Sequence, residues 1–249
     1  MIKLFITDLD GCITHPFKTP DWESISEIRN LNQQSRTAEH IPGITICSGR
    51  PFPYVEAVGQ WLDVEVPMVF ESGGGMYNMK NNEITWNPHF DEDARKAVVE
   101  IKEWIENVLI KNYEGTYPEF AKYTDAGLVN PDPSKVKKMH DEILNFVPQN
   151  YPMFEIHDTD ISVNVILKKA NKGVGIRHLC ENLGLELDEV AYIGDSSGDL
   201  PGLEIVGKSF APENAKSFVK EAADHIVGEA TEGVLEAYHM LIELNENQG

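Results

Sequence analysis

Two pairs of aspartates follow apolar segments of the sequence. Asp8 and Asp10 come directly after the first apolar run of the chain, and Asp195 and Asp199 come after a later one. Carboxylates held this close repel each other unless a cation lies between them or one of them keeps a proton. Mg²⁺ prefers such hard oxygen ligands and shares them with water and substrate phosphate. The two pairs therefore suggest a divalent-cation site, although each pair alone is also an ordinary turn signal.

Polar loops end other apolar runs too. The segment "GITICSGR" (43–50) runs into Ser48, Gly49 and Arg50, and the segment "VPMVFESGGG" (66–75) runs into glycines. Uninterrupted apolar strands of this kind are typical of a parallel sheet covered on both faces, and the stretches between them have helical spacing. We therefore predict an α/β fold with a Rossmann-like, doubly wound parallel sheet. Ligands of such sheets bind beyond the carboxyl ends of the strands, so these loops are expected to converge.

Residues 83–165 have the pattern of a separate unit. Two stretches within it carry apolar residues at helical spacing. Strand-like runs flank them, among them "EITW" (83–86) and "EFAKYT" (119–124). We predict two strand–helix–strand units that form a small α/β domain, inserted into a core domain made of residues 1–82 and 166–249.

Composition excludes several classes of partner. The chain has 21 Lys and Arg against 41 Asp and Glu, a net charge of −20, which disfavours nucleic acid and anionic membranes. No apolar run approaches the length of a membrane span, and the N-terminus lacks a signal-peptide pattern. Cys12, Cys47 and Cys180 are scattered without a CxxC pair, so neither a disulfide framework nor a zinc site is indicated. We expect a cytoplasmic protein, either a monomer or a homodimer, without nucleic-acid or membrane partners.

Four segments together resemble a known family. "DLDGC" (8–12), "TICSGR" (45–50), "NKG" (171–173) and "GDSSGD" (194–199) are similar, in order and interval, to the four motifs of the haloacid dehalogenase superfamily of phosphohydrolases. The long interval between the second and third motifs looks like the type IIB cap of the Cof-like and archaeal phosphoglycolate phosphatase groups. The resemblance covers nearly the whole chain. It implies a Mg²⁺-dependent phosphatase that acts on a small phosphorylated metabolite, such as phosphoglycolate or a sugar phosphate.

The resemblance also implies roles in catalysis. Asp8 would be the nucleophile that forms an aspartyl-phosphate, and Asp10 would protonate the leaving oxygen and later deprotonate water. Ser48 and Lys172 would bind the phosphate, and Lys172 would also position Asp8. Further phosphate- or substrate-binding groups are expected in the same loops, at Leu9, Gly49 and Arg50.

The resemblance places the metal among the four aspartates. Mg²⁺ would be held by the Asp8 and Asp195 side chains and by the backbone carbonyl of Asp10, with Asp199 in support. Gly198 stands where related groups often carry Asn, from which we expect a small loss of hydrogen bonding in that loop. Ser72 likewise stands where Cof-like proteins often carry Asn.

Several alternatives stay open. A phosphomutase or phosphotransferase would use the same motifs, and a non-catalytic protein that binds a phosphorylated metabolite would keep the fold without turnover. A dehalogenase is disfavoured, because the resemblance implies that those enzymes lack the second aspartate, Asp10. Asn214 is expected either to support the loop of the fourth motif or only to begin a helix. Cys12 and Cys47, which flank the site in sequence, are expected to be small buried hydrophobes.

Overall fold

The computed structural model describes residues 1–15 and 18–247, and it divides into two compact units. The first comprises Met1–Thr85 and Lys172–Gly249, and the second comprises Trp86–Asn171. The second unit thus begins and ends slightly later than the predicted 83–165. The difference at its end has a clear reason, since a boundary at residue 165 would cut a strand, Ser162–Leu167, that belongs to the sheet of the second unit.

Strands and helices alternate along the chain. The strands are β1 (Leu4–Thr7), β2 (Gly43–Ile46), β3 (Met68–Phe70), β4 (Gly75–Asn78), β5 (Glu83–Trp86), β6 (Tyr117–Pro118), β7 (Ala126–Val129), β8 (Phe154–Asp158), β9 (Ser162–Leu167), β10 (Val190–Ile193), β11 (Lys208–Pro212) and β12 (His225–Val227). The helices are α1 (Trp22–Gln34), α2 (Phe52–Leu62), α3 (Glu92–Trp104), α4 (Pro133–Asn150), α5 (Lys172–Leu183), α6 (Leu200–Leu203), α7 (Ser217–Ala222) and α8 (Ala230–Glu246). Within the described ranges, none of these helices is long and apolar enough to span a membrane.

The first unit is built on a parallel sheet with the strand order β12–β11–β10–β1–β2. The residues of β1 are all buried and alternate between the two faces of the sheet. Leu4 and Ile6 belong to a core cluster with Ile176 of α5, whereas the ring of Phe5 lies 5.5 Å from that of Tyr238 of α8. Helices therefore cover both faces, which is why β1 has no polar face. The predicted doubly wound α/β fold is confirmed.

A smaller sheet extends the first unit beyond β2. A parallel bridge from Cys47 to Val69 joins β2 to β3, and the order then continues β3–β4–β5. The predicted strand "EITW" is β5, but it pairs here and not in the inserted unit. The predicted strand–helix–strand order of the inserted unit is therefore wrong.

The second unit has an antiparallel sheet in the order β6–β7–β9–β8. Its chain order is helix–strand–strand, repeated twice. Val163 and Val165 of β9 are buried in one core with Ile101 of α3 and Ile143 of α4. Asn164 lies between the two valines, so it points to the opposite face of the sheet.

The predicted strand over residues 119–124 is a loop between β6 and β7. Lys122 turns inward there, and its ammonium lies 2.9 Å from Glu119, 3.0 Å from Asp125 and 2.9 Å from Asn164. These partners compensate the burial of the ammonium, whose side chain is only 4% exposed.

Candidate active site

The two central strands of the parallel sheet bring the carboxylates together. The Asp8 N–H donates to the carbonyl of Ile193 at 3.0 Å, so Asp8 leaves β1 beside the end of β10, from which Asp195 follows. Oxygen atoms of Asp8, Asp195 and Asp199 all lie within 4.8 Å of one another. Asp8 of the first aspartate pair and both members of the second therefore meet at the carboxyl edge of the sheet, where parallel strands place them.

Gly11 allows this close approach. Its φ is +77°, a conformation that favours glycine, and a Cβ at this position would lie 2.1 Å from Oδ2 of Asp195. Asn214 holds the same loop, because its side-chain amide donates to the carbonyl of Gly11 at 2.9 Å and accepts from the N–H of Ala230 at 2.8 Å. Asn214 thus supports the loop of the first motif and the start of α8, and within residues 1–15 and 18–247 its side chain forms no hydrogen bond to the loop of the fourth motif.

Lys172 sits at the centre of the carboxylates. It is the first residue of α5 and is buried. Its ammonium lies 3.0 Å from Oδ2 of Asp8 and 2.5 Å from Oδ1 of Asp199. Gly173 lets the helix start so close to the site, since a Cβ there would lie 2.5 Å from the carbonyl oxygen of Pro201. The structure therefore pairs the predicted lysine with the predicted nucleophile.

Asp199 accepts hydrogen bonds at both of its oxygens. Oδ2 receives the N–H groups of Asp195 and Ser196 at 3.2 and 2.9 Å and the hydroxyl of Ser196 at 2.7 Å. Oδ1 receives Lys172 and the hydroxyl of Tyr192. Asp199 is therefore occupied as an anchor for the loop and the lysine, which agrees with the supporting position expected for it. Tyr192 was not among the predicted site residues.

Burial perturbs the ionisation of this cluster. Loss of solvent raises the pKa of Asp8 to about 7; Lys172 counteracts this, while Asp199 and Asp10 add to it. Loss of solvent and the nearby Asp8 and Asp199 raise the pKa of Asp195 to about 8. Burial acts in the same direction on Asp199, but Lys172, Tyr192 and Ser196 outweigh it and hold the pKa of that carboxyl below its ordinary value. The metal-free site thus retains protons that a cation would displace.

The other predicted residues lie in two adjoining loops. Asp10 is half-buried and forms a two-pronged ion pair with Arg50, whose Nε and Nη2 lie 2.5 and 2.9 Å from its carboxylate oxygens. Ser48 is buried at the end of β2, and its hydroxyl accepts from the N–H of Arg50 at 3.3 Å. The backbone carbonyl of Ser48 accepts from the N–H of Ser72 at 2.9 Å. Gly49 keeps its loop close to Ser72, since a Cβ on Gly49 would lie 3.2 Å from the Ser72 hydroxyl.

Leu9 and the three cysteines are buried in the protein core. Leu9 is fully buried, and its carbonyl accepts from the N–H groups of Cys12 and Thr14 at 3.2 and 2.8 Å, which closes the turn after the first motif. Cys12, Cys47 and Cys180 are free and buried. Burial raises the pKa of the Cys12 and Cys47 thiols, so they stay neutral and are not nucleophiles.

The cluster fits a hard divalent cation. Its ligand atoms are all carboxylate oxygens, the donor type that Mg²⁺ prefers. Oδ1 of Asp8 is buried and has no hydrogen-bond partner in residues 1–15 and 18–247. A buried carboxylate oxygen left unpaired is costly, and a cation would relieve that cost. Asp8 and Asp195 are the side chains that would hold the ion, since Asp199 is filled by donors and the Asp10 carboxylate is paired with Arg50.

One protein family matches this chain along most of its length. The sequence model of the haloacid dehalogenase-like hydrolases matches residues 5–117 and 110–237. The chain belongs to this family. A phosphoglycolate phosphatase of Methanopyrus kandleri is 28% identical over 247 residues, 98% of each chain, and one of Methanococcoides burtonii is 26% identical over 240 residues, 95% of each chain.

The family fold is also found among solved structures. A crystal structure from Thermoplasma acidophilum superposes with a TM-score of 0.74 at 21% identity and covers 97% of this chain and 98% of that one. The predictions of the superfamily, of its α/β fold and of a phosphatase are confirmed by these matches. The clustered residues belong to the family motifs: Asp8 lies in the first motif, Lys172 in the third, and Asp195 and Asp199 in the fourth.

Proposed function

We propose that this protein is a Mg²⁺-dependent phosphatase that hydrolyses a small phosphorylated metabolite through a phosphorylated Asp8. One observation carries the proposal. Asp8 is buried at the end of a rigid central strand, with one oxygen 3.0 Å from the Lys172 ammonium and the other without a partner among the described residues. A carboxylate held in this way has an exact orientation and little competing hydration, which suits it to nucleophilic attack.

The chain's own residues divide the reaction into two steps. In the first, an oxygen of Asp8 forms a bond to phosphorus, the ester P–O bond breaks, and Asp10 gives its proton to the leaving oxygen. In the second, Asp10 takes a proton from water, the water oxygen attacks phosphorus, and the bond to Asp8 breaks to release phosphate. Lys172 and Ser48 hold the phosphoryl oxygens throughout. The metal, when bound, neutralises negative charge on the phosphoryl group.

Arg50 gives Asp10 a defined place before substrate binds. The ion pair between the two side chains fixes the Asp10 carboxylate at the mouth of the first-motif loop. Both side chains keep about a third of their surface exposed, at 35% and 32%, so an incoming anionic substrate can compete for Arg50. Such an exchange would free Asp10 for proton transfer as the substrate arrives.

Phosphoglycolate is the first substrate to test, because the relatives from Methanopyrus kandleri and Methanococcoides burtonii are phosphoglycolate phosphatases. We further propose that the inserted unit supplies the selectivity. The sheet face opposite α3 and α4 carries polar groups there, with Asn164 bound to Lys122 at 2.9 Å and paired across the strands with His157.

The test is phosphate release from a panel of phosphorylated metabolites that includes phosphoglycolate and sugar phosphates, with Mg²⁺ and with EDTA. The proposal predicts one preferred substrate, free phosphate in equal amount to substrate consumed, and no release with EDTA. Substrate loss without free phosphate would indicate a phosphotransferase or mutase. Tight binding of one phosphoester without any turnover would indicate a binding protein.

A further inference from the structure

Tyr192 places a hydroxyl in an apolar part of the core. Its ring is fully buried on β10 in a cluster with Ile6, Ile176 and Leu203. A Cβ at Gly202 would lie 2.7 Å from this ring, so α6 accommodates the ring because that residue is glycine. A hydroxyl buried in such surroundings costs free energy unless it is hydrogen-bonded. Tyr192 meets the requirement by donating to Oδ1 of Asp199.

The same oxygen is also the nearest acceptor of Lys172. The Lys172 ammonium lies 2.5 Å from Oδ1 of Asp199 and 3.0 Å from Oδ2 of Asp8, so two carboxylates compete for one cation. Asp199 is the stronger competitor, since its Oδ1 lies nearer to the ammonium and the bonds at Oδ2 hold the carboxylate in place.

A phenol that donates to Oδ1 weakens this competition. A carboxylate oxygen that already accepts one strong hydrogen bond has less negative charge to offer a second donor. Without the Tyr192 hydroxyl, Lys172 would be the sole donor to Oδ1 of Asp199 among the described residues, and we expect the ammonium to be drawn toward Asp199 and away from Asp8.

We propose that Tyr192 is a positioning residue for the phosphate-binding lysine: by sharing Oδ1 of Asp199, its hydroxyl keeps Lys172 available to Asp8 and to the phosphoryl group. The inference rests on the proposed phosphatase function for its kinetic consequences. Its consequence for phosphate binding does not require turnover.

The test is Tyr192→Phe, which removes the hydroxyl and leaves the ring that fills the core. Tyr238→Phe is the matched control, because Tyr238 is also fully buried in the first unit and its hydroxyl donates to the carbonyl of Pro42, away from the carboxylates. Both variants lose one buried hydrogen bond. For each, kcat and KM with p-nitrophenyl phosphate, the Mg²⁺ concentration at half-maximal rate, Tm, and inorganic phosphate binding by calorimetry in Mg²⁺ are measured.

We expect Tyr192→Phe to lower kcat about tenfold, the size of one hydrogen bond to a charged group, with a smaller rise in KM. Phosphate affinity should fall several-fold, and the Mg²⁺ requirement should not change. Tyr238→Phe should leave kcat, KM, phosphate affinity and the Mg²⁺ requirement at wild-type values, although its Tm falls. Equal kinetics in the two variants, unchanged phosphate affinity in Tyr192→Phe, or a raised Mg²⁺ requirement there would overturn the inference.

The binding arm separates this inference from the proposed function. A wild-type protein that binds phosphate but hydrolyses nothing would refute the phosphatase, while a weaker phosphate affinity of Tyr192→Phe would still support the positioning by Tyr192. A wild-type protein that does not bind phosphate at all would overturn the inference too, since Lys172 would then face no phosphoryl group.

Discussion

Mg²⁺ binding should tighten steeply between pH 6 and pH 8, because the cation must displace protons from the site. The pKa values of Asp8 and Asp195 are raised to about 7 and about 8, mainly by burial and then by repulsion from neighbouring carboxylates, Asp199 in both cases. A ligand carboxylate must be ionised to bind, so metal affinity follows its ionised fraction.

The expected size follows from these two pKa values. A group with a pKa of about 7 is ~9% ionised at pH 6 and ~91% at pH 8, a gain of about tenfold. A group with a pKa of about 8 rises from ~1% to ~50%, a gain of about fiftyfold. The Mg²⁺ dissociation constant should therefore fall by about tenfold if only Asp8 must ionise, and by up to about 500-fold (10 × 50) if both must.

Calorimetric titration of the metal-free protein with MgCl₂ at pH 6, 7 and 8 measures this directly. Repeating each titration in two buffers of different ionisation enthalpy counts the protons released. Asp195→Asn is the matched variant, because it removes one titrating ligand and should reduce the pH dependence to about tenfold or less. An equal Mg²⁺ affinity at pH 6 and pH 8, with no proton release, would refute both the raised pKa values and the assignment of these ligands.

Three further results are expected. In the metal-free protein, folded Asp8 and Asp195 keep protons that the unfolded chain loses above about pH 4, so the free energy of unfolding should fall as pH rises from about 4 to about 8. Mg²⁺ should restore the lost stability. Urea unfolding of the wild type and of Asp8→Asn measures the contribution of Asp8, and a difference in unfolding free energy between the two that does not change with pH would contradict the prediction. Gly11→Ala should weaken Mg²⁺ binding at least tenfold and destabilise the fold by about 1–3 kcal/mol, because the added Cβ would clash with Asp195 and the residue has a positive φ. Gly198→Ala is the control and should be tolerated, because the nearest atom lies 3.8 Å from its added Cβ. Asn214→Ala should lower the unfolding free energy by about 1–3 kcal/mol through loss of two hydrogen bonds, and an unchanged Tm would show that the loop of the first motif does not depend on them.

The core of the site is predictable from the sequence because parallel strands buried on both faces have uninterrupted apolar runs. β1 and β10 are two such runs, and the aspartates Asp8 and Asp195 follow within two residues of their ends. Their adjacency then brings Asp8 and Asp195 together. The four motifs add residue types that phosphoryl transfer needs, so the positions of Lys172 and Ser48 follow from the resemblance.

Tyr192 is not predictable in this way. Its neighbours in sequence are apolar, and an aromatic residue within a strand is the ordinary expectation for a core position. The target of its hydroxyl, Asp199, lies seven residues later, at the last residue of a short helical turn that follows a loop. Only the folded loop brings Asp199 back over β10, so no local pattern contains the contact.

The inserted unit shows the limit of strand prediction. Residues 119–124 include aromatic residues of the kind that favour strands, yet Phe120 and Tyr123 are 74% and 56% exposed. The buried ammonium of Lys122 donates a hydrogen bond to Asn164, more than forty residues away. A long-range hydrogen bond of this kind competes with local strand propensity, and it is invisible in a window of a few residues.

The central claim is that Asp8 takes up the phosphoryl group. It is tested by mixing the protein with p-nitrophenyl phosphate and Mg²⁺, quenching in acid within milliseconds, and locating phosphate on the digested peptides by mass spectrometry. We expect phosphate on Asp8 in the wild type, more of it in Asp10→Asn, which lacks the base for the second step, and none in Asp8→Asn, which should also be inactive. Phosphate on another residue, or turnover retained in Asp8→Asn, would contradict the account.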